Sequence, residues 1–275
     1  MIGTIIGDMV CSSIEPGGRL PENRGLFDGE CKITANTVMF LAVAKSLMEY
    51  SGKSYDLIDK IKENSGKLME SVFGEQAGNM VFSRIACNMP VAYFARNYKE
   101  VHDLTFIVVP AIAGSSVDDV FAAEIETASV FRYLHFHPVS KLKKALLPKK
   151  YVFPESTGRY LSEYEHSFRE SLSFEDAIRK ASATSDPCNM AAIVGAIAEP
   201  YHGVPESFRL RALEIMGPDL GSLFEETERS ALPKVSTYIP DLTKPSEVHF
   251  MPARFTTSKW EYFKKRRGEK SHGKV

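Results

Sequence analysis

An all-α single domain is what this sequence predicts, and three observations carry it. The stretch Ile33–Met48 is apolar on most sides of a helix, through Val38, Met39, Leu41, Val43 and Leu47. The stretch Met190–Ala198 is small and apolar all round. A helix without a polar face belongs inside a helical core. Between and around these two, most segments repeat apolar residues at helical spacing rather than alternating them. The chain of 275 residues is long enough for one large domain. With 44% hydrophobic and 25% charged residues it has the composition of a globular protein. A net charge of −1 makes no case for nucleic acid or an anionic membrane surface. No apolar run approaches the roughly 18 residues that span a bilayer, so no membrane partner is expected.

Taken in order, residues 1–11 read as a tightly packed first helix. Gly3 and Gly7 stand one turn apart and permit close helix–helix approach, and Asp8 follows in the same turn. Asp8 also interrupts the apolar run, and no basic segment precedes it, so no signal peptide is expected. Residues 16–32, opened by Pro16-Gly17-Gly18, read as a loop. The central helix spans about 33–50. Thr34 can cap it, its hydroxyl accepting from an orphan N–H of the first turn. Residues 54–73 read as a helix broken near Ser65-Gly66, with a loop from Gly74 to Gly78. Pro90 splits the apolar stretch 79–97 into two helical pieces. Leu104 to Ala113 has strand propensity in Phe106-Ile107-Val108-Val109, although its neighbours favour helix. Asp118 to Leu134 reads as a helix with acids at its start, where the dipole favours them.

Residues 135–165 hold His135 and His137 and the basic set Lys141, Lys143, Lys144, Lys149 and Lys150. No Asp or Cys stands near the histidines to complete a metal shell, and the lysines read as a solvated loop. Ser173 and Asp176 form a capping box for a helix over 173–183. Asp186 and Pro187 suit the cap and first position of the second buried helix. Pro205 and Glu206 open another helix over 206–216. The four cysteines, Cys11, Cys31, Cys87 and Cys188, show no paired spacing and read as reduced thiols of a cytoplasmic protein. After about residue 230 scattered prolines suggest an extension, 231–275, ending in the basic tail Lys264-Lys265-Arg266-Arg267. The helical domain is then 1–230.

Three segments resemble the ADP-ribosylglycohydrolases, enzymes like the dinitrogenase-reductase-activating glycohydrolase. Met1 to Glu15 is similar to their opening G-A-x-x-G-D-x-x-G-S with its following Glu. Thr34-Ala35-Asn36-Thr37-Val38-Met39 and the residues to Ala44 resemble T-D-D-T-x-M-x-x-A-V-A. Ser173 to Arg179 matches S-F-E-D-A-I-R, and Asp186 to Glu199 resembles D-T-D-T-I-A-A-I-x-G-A-I-A-E. Tyr201 to Pro205 continues with Y-x-G-I-P. The likeness covers about residues 1–225 in order and spacing. It implies an orthogonal helical bundle with a central cleft. It also implies two Mg²⁺ or Mn²⁺ ions at converging helix starts and hydrolysis of an N- or O-glycosidic ADP-ribosyl bond.

The departures fall on the chemistry. Thr34 and Asp186 remain as remnant metal ligands. Ala35, Asn36, Cys188 and Asn189 stand where the family has Asp, Asp, Asp and Thr. Two hard dications need several carboxylates to offset their charge, and a thiol is soft for Mg²⁺. No metal cofactor is therefore expected, with Mg or Mn only if the ancestral site is partly retained. The family motif G-N-G-S-A-M-R has no counterpart at Val81 to Cys87, nor H-N-H-P-E at Gly114 to Asp118. Glu15 aligns with an acid implied in catalysis, and Asn36 and Asn189 take substrate-binding positions. The expectation is a pseudoenzyme kept to bind an ADP-ribose-like or phosphate-bearing ligand, or a protein. Helix starts stripped of carboxylates would favour an anion. The alternative is an active hydrolase with a metal-poor site built from Asp8, Glu15, Asp186 and Cys188. In that case Cys188 at a helix start could be nucleophilic, against the plainer reading of a small buried thiol.

Overall fold

The computed structural model describes residues 1–14, 18–21, 23–112, 117–136, 167–168, 170–184, 186–231 and 238–239. Helix α1 (Ile2–Cys11) is buried at every residue. Helix α2 (Ala35–Met48) is buried at all positions but Lys45 and Met48. Both lack a polar face, as their sequences predict, because neighbours cover them on all sides. Helix α3 (Ser54–Phe73) is amphipathic and lays Leu57, Ile61 and Met69 against α2. A 3₁₀ turn (Gly74–Asn79) leads to two short helices, α4 (Arg84–Asn88) and α5 (Val91–Phe94). Helices α6 (Tyr98–Ile112) and α7 (Val117–Phe136) pack on each other, and α7 also covers α4 and α5. Helix α8 (Phe174–Ala181) packs on α9 (Pro187–His202), the second buried helix, and α10 (Glu206–Ser230) closes against α1 and α2.

Helices α1 and α9 cross at backbone contact, and glycine makes it possible. A Cβ on Gly3 would stand 2.2 Å from the Gly195 carbonyl oxygen, and one on Gly7 would stand 2.0 Å from that of Ala191. Backbone therefore meets backbone, which only small residues allow. One buried carboxylate finishes the joint. Glu199 accepts from the Met1 amino group at 2.5 Å, the Gly3 N–H at 2.8 Å and the Tyr93 hydroxyl at 3.2 Å.

Several local expectations change. Helix α3 runs through Ser65 and Gly66 unbroken; the Ser65 hydroxyl bonds back to the Ile61 carbonyl, and nothing crowds Gly66. The β-branched run Ile107-Val108-Val109 is helix, because burying Val108 and Val109 in the core outweighs local strand propensity. Helix α10 continues well past 216, kinked where Gly217 takes φ 71° and Pro218 removes a hydrogen bond. The sheet pairing among the described residues is two residues long: β1 (Val204–Pro205) lies parallel to β2 (Tyr238–Ile239). The rest of the 231–275 extension beyond Ala231, with its basic tail, lies outside the described residues. So do the metal reading of His137 and the lysine set. Among the described residues no helix is long and apolar enough to cross a membrane.

Candidate functional site

Asp8 is the centre of the site. It sits on the second turn of α1, 1% exposed, facing the start of α2. Thr34 occupies the N-cap of α2 in an extended conformation, so its hydroxyl turns back over the helix end. That oxygen accepts from the Asn36 N–H at 3.1 Å and donates to Asp8 Oδ2 at 2.6 Å. Thr37 lies three residues on and shares the face. Its hydroxyl donates to the same oxygen at 2.5 Å. Asn36 Nδ2 donates to Asp8 Oδ1 at 2.9 Å, while Asn36 Oδ1 accepts from the Ser83 N–H at 2.6 Å. Ser83 in turn caps α4 through the Ala86 N–H. One carboxylate thus ties α1 to α2, and Asn36 ties both to α4.

Electrostatics follow from this geometry. Burial pushes the Asp8 carboxyl above its ordinary 3.8, while the hydrogen bonds from Thr34, Thr37 and Asn36 pull the other way without cancelling it. The carboxylate also stands at the positive end of α2, where a negative charge is favoured.

The start of α9 is built differently. Asp186 holds the N-cap position, yet its side chain makes no cap bond to the backbone. Its Oδ2 accepts from Asn189 Nδ2 at 2.7 Å instead. Cys188 is half-buried beside it. The buried Cys11 thiol, at the end of α1, donates to the Pro187 carbonyl at 3.2 Å and lies within hydrogen-bond reach of Cys188. That shared bond holds the Cys188 thiol below its usual range and, with burial, pushes the Cys11 thiol up. Asp8 and Asp186 both act on the two thiols by charge.

Of the residues singled out in the sequence, Thr34 and Asn36 belong to the Asp8 cluster, and Asp186 and Asn189 to the α9 start. Glu15 lies outside the described residues. Asp8 as the hub, with Thr37 as its partner and Ser83 as the partner of Asn36, is what sequence reasoning passed over. The spacing Thr34–Thr37, one turn on a single face, is the signal that pointed there. Among the described residues no three His, Cys, Asp or Glu side chains gather where a metal ion could be held. A cavity of about 870 Å³ lies elsewhere, lined by Tyr50, Phe94, Arg96, His102 and Phe106 among others, and includes no residue of the Asp8 cluster. No family model, no curated protein and no solved structure matches this chain.

Proposed function

We propose that the chain is a non-hydrolytic relative of the ADP-ribosylglycohydrolases, in which a hydrogen-bonded brace stands where the family holds its metal pair, and that it works by binding. One observation carries this: the polar atoms that would have to turn toward a metal are committed to one another. Thr34 gives its proton to Asp8, and both ends of the Asn36 amide are engaged. Asp186 is bonded by Asn189. Ala35 brings no donor atom, and Cys188 brings a soft one. Two hard dications need several free oxygen ligands, most of them charged. These residues do not fit that pair, and no catalytic step is drawn through it.

The same brace bears on what is bound. A phosphate at the start of α2 would need the N–H groups of its first turn. Asn36 N–H goes to Thr34, and the Asp8 carboxylate is held against the same turn by the Thr34 and Thr37 hydroxyls, so an internal carboxylate already takes the place of an external anion. An ADP-ribose-like ligand is therefore disfavoured in this position, which leaves a protein as the class of partner we propose.

Three measurements on the full chain test the proposal. Mn²⁺ titration followed by electron paramagnetic resonance is expected to show no tight two-ion site. Peptides carrying ADP-ribose on arginine or serine are expected to remain intact with Mg²⁺ or Mn²⁺. Calorimetry with ADP-ribose in EDTA is expected to give no heat at millimolar ligand. Metal-dependent turnover lost in Asp186→Ala would overturn the non-hydrolytic assignment. Metal-free binding of ADP-ribose would replace the protein partner with a nucleotide.

A further inference from the structure

Gly3, Gly7 and Cys11 stand at four-residue steps on one face of α1. Opposite them on the antiparallel α9 stand Gly195, Ala191 and Pro187, at matching steps. At the first two steps the backbones touch, and no Cβ would fit on either glycine. This contact fixes the separation of the helices at the third step. There the Cys11 sulfur sits 3.2 Å from the Pro187 carbonyl oxygen, whose carbon is bonded to the backbone nitrogen of Cys188. A disulfide needs its two Cα atoms within about 7 Å and its Cβ atoms facing, a condition that helices held at backbone contact favour. The other two thiols have no such neighbour among the described residues: Cys31 bonds weakly to the Leu26 carbonyl and Cys87 to that of Asn36.

We propose that Cys11 and Cys188 form a reversible disulfide, an oxidation site that fastens the start of α9 to the end of α1 beside Asp8. The half-buried Cys188 meets the oxidant and the buried Cys11 resolves the product. With hydrogen peroxide, the Cys188 sulfur attacks one peroxide oxygen and the O–O bond breaks. One water leaves and Cys188 carries a sulfenic acid. The Cys11 sulfur then attacks the Cys188 sulfur, the S–O bond breaks and a second water leaves. Two thiols and one peroxide give one disulfide and two waters. A dithiol reductant reverses the product by exchange. The link stands apart from the binding role proposed above, and neither depends on the other.

The test uses the full native chain. It is exposed to peroxide, its remaining thiols are alkylated, and it is digested without reductant for mass spectrometry. The expected product is one linked peptide pair containing Cys11 and Cys188, with Cys31 and Cys87 alkylated and the link gone after dithiothreitol. Because the link closes a loop of most of the chain, the oxidised protein should melt about 5–10 °C higher, reversibly. Cys11→Ala should leave Cys188 as a sulfenic acid that a dimedone probe traps. Cys188→Ala should leave Cys11 reduced. A native protein in which Cys188 over-oxidises while Cys11 stays alkylatable would overturn the proposal. Links running instead through Cys31, Cys87 or a second molecule would also overturn it.

Discussion

The starts of α2 and α9 both carry polar residues, yet they are closed in different ways. At α2 a buried carboxylate from α1 supplies the negative charge that the helix end favours, and Thr34, Asn36 and Thr37 surround it with donors. At α9 the carboxylate belongs to the helix itself, is half-exposed, and bonds sideways to Asn189 rather than to the backbone. The first start is part of the core; the second is part of the surface. Polar residues at a helix end therefore carry structural weight in proportion to their burial, because an unmet hydrogen bond costs most where water cannot replace it.

The widest break in this comparison removes what both starts share. Helix α1 carries Asp8 to one and Cys11 to the other, and Gly7 holds it in place. Gly7→Val would force a side chain into the Ala191 backbone, where even a Cβ stands 2.0 Å from oxygen. A loss of about 3 kcal/mol or more is expected by urea denaturation, and a loss under about 1 kcal/mol would mean that the helices can part freely.

Asp8→Ala acts on the α2 start alone. It leaves the Thr34 and Thr37 hydroxyls and the Asn36 amide without their acceptor in a buried setting, at a cost of about 3 kcal/mol. Asp8→Asn keeps one acceptor oxygen and should cost about 1 kcal/mol near neutral pH. The pH dependence gives a separate readout. Burial raises the Asp8 pKa above 3.8, so the folded state holds the proton more tightly than the unfolded chain. Its contribution is fully present below pH 3.8 and is lost as pH rises through the higher folded-state value. The stability of the native chain relative to Asp8→Asn should therefore fall as pH rises from about 4. A difference that grew with pH would mean that the hydrogen bonds outweigh burial.

The helices were legible because burial leaves a pattern: α1, α2 and α9 lack polar faces, and Gly3 and Gly7 signal a close crossing without any structure. The interior of α3 was misjudged because Ser65 can satisfy its hydroxyl on its own helix, which composition does not reveal. Helix α6 was ambiguous because β-branched residues suit a strand locally and a core helix globally. At the site, Thr34 as a cap was readable, since capping is a local bond. Asp8 as the hub was not, because its partners lie 26 to 29 residues away. The cap bond expected of Asp186 failed for a related reason. A side-chain donor three residues on, Asn189, competes for the same carboxylate.

Asn36→Asp sharpens the comparison by placing a second carboxylate in the first turn of α2. It would replace a donor 2.9 Å from Asp8 Oδ1 with a second negative group. One of the two must then take a proton or repel the other. The expected cost is about 2 kcal/mol at neutral pH, partly regained on acidification, as read by thermal melts across pH. If Mn²⁺ alone restores the lost stability at neutral pH, the start of α2 can take a metal ion once a second carboxylate is present.

Asn189→Ala, at the other helix start, should be nearly silent. It removes one bond to a half-exposed carboxylate that water can solvate in its place, so about 0.5 kcal/mol or less is expected. The contrast with Asp8→Ala is the useful quantity, because both changes break hydrogen bonds to a carboxylate at a helix start, and the two carboxylates differ in burial. Equal losses in parallel denaturation curves would show that exposure does not separate the two starts. A large loss at Asn189 alone would place the structural weight at α9 and make the start of α2 the dispensable one.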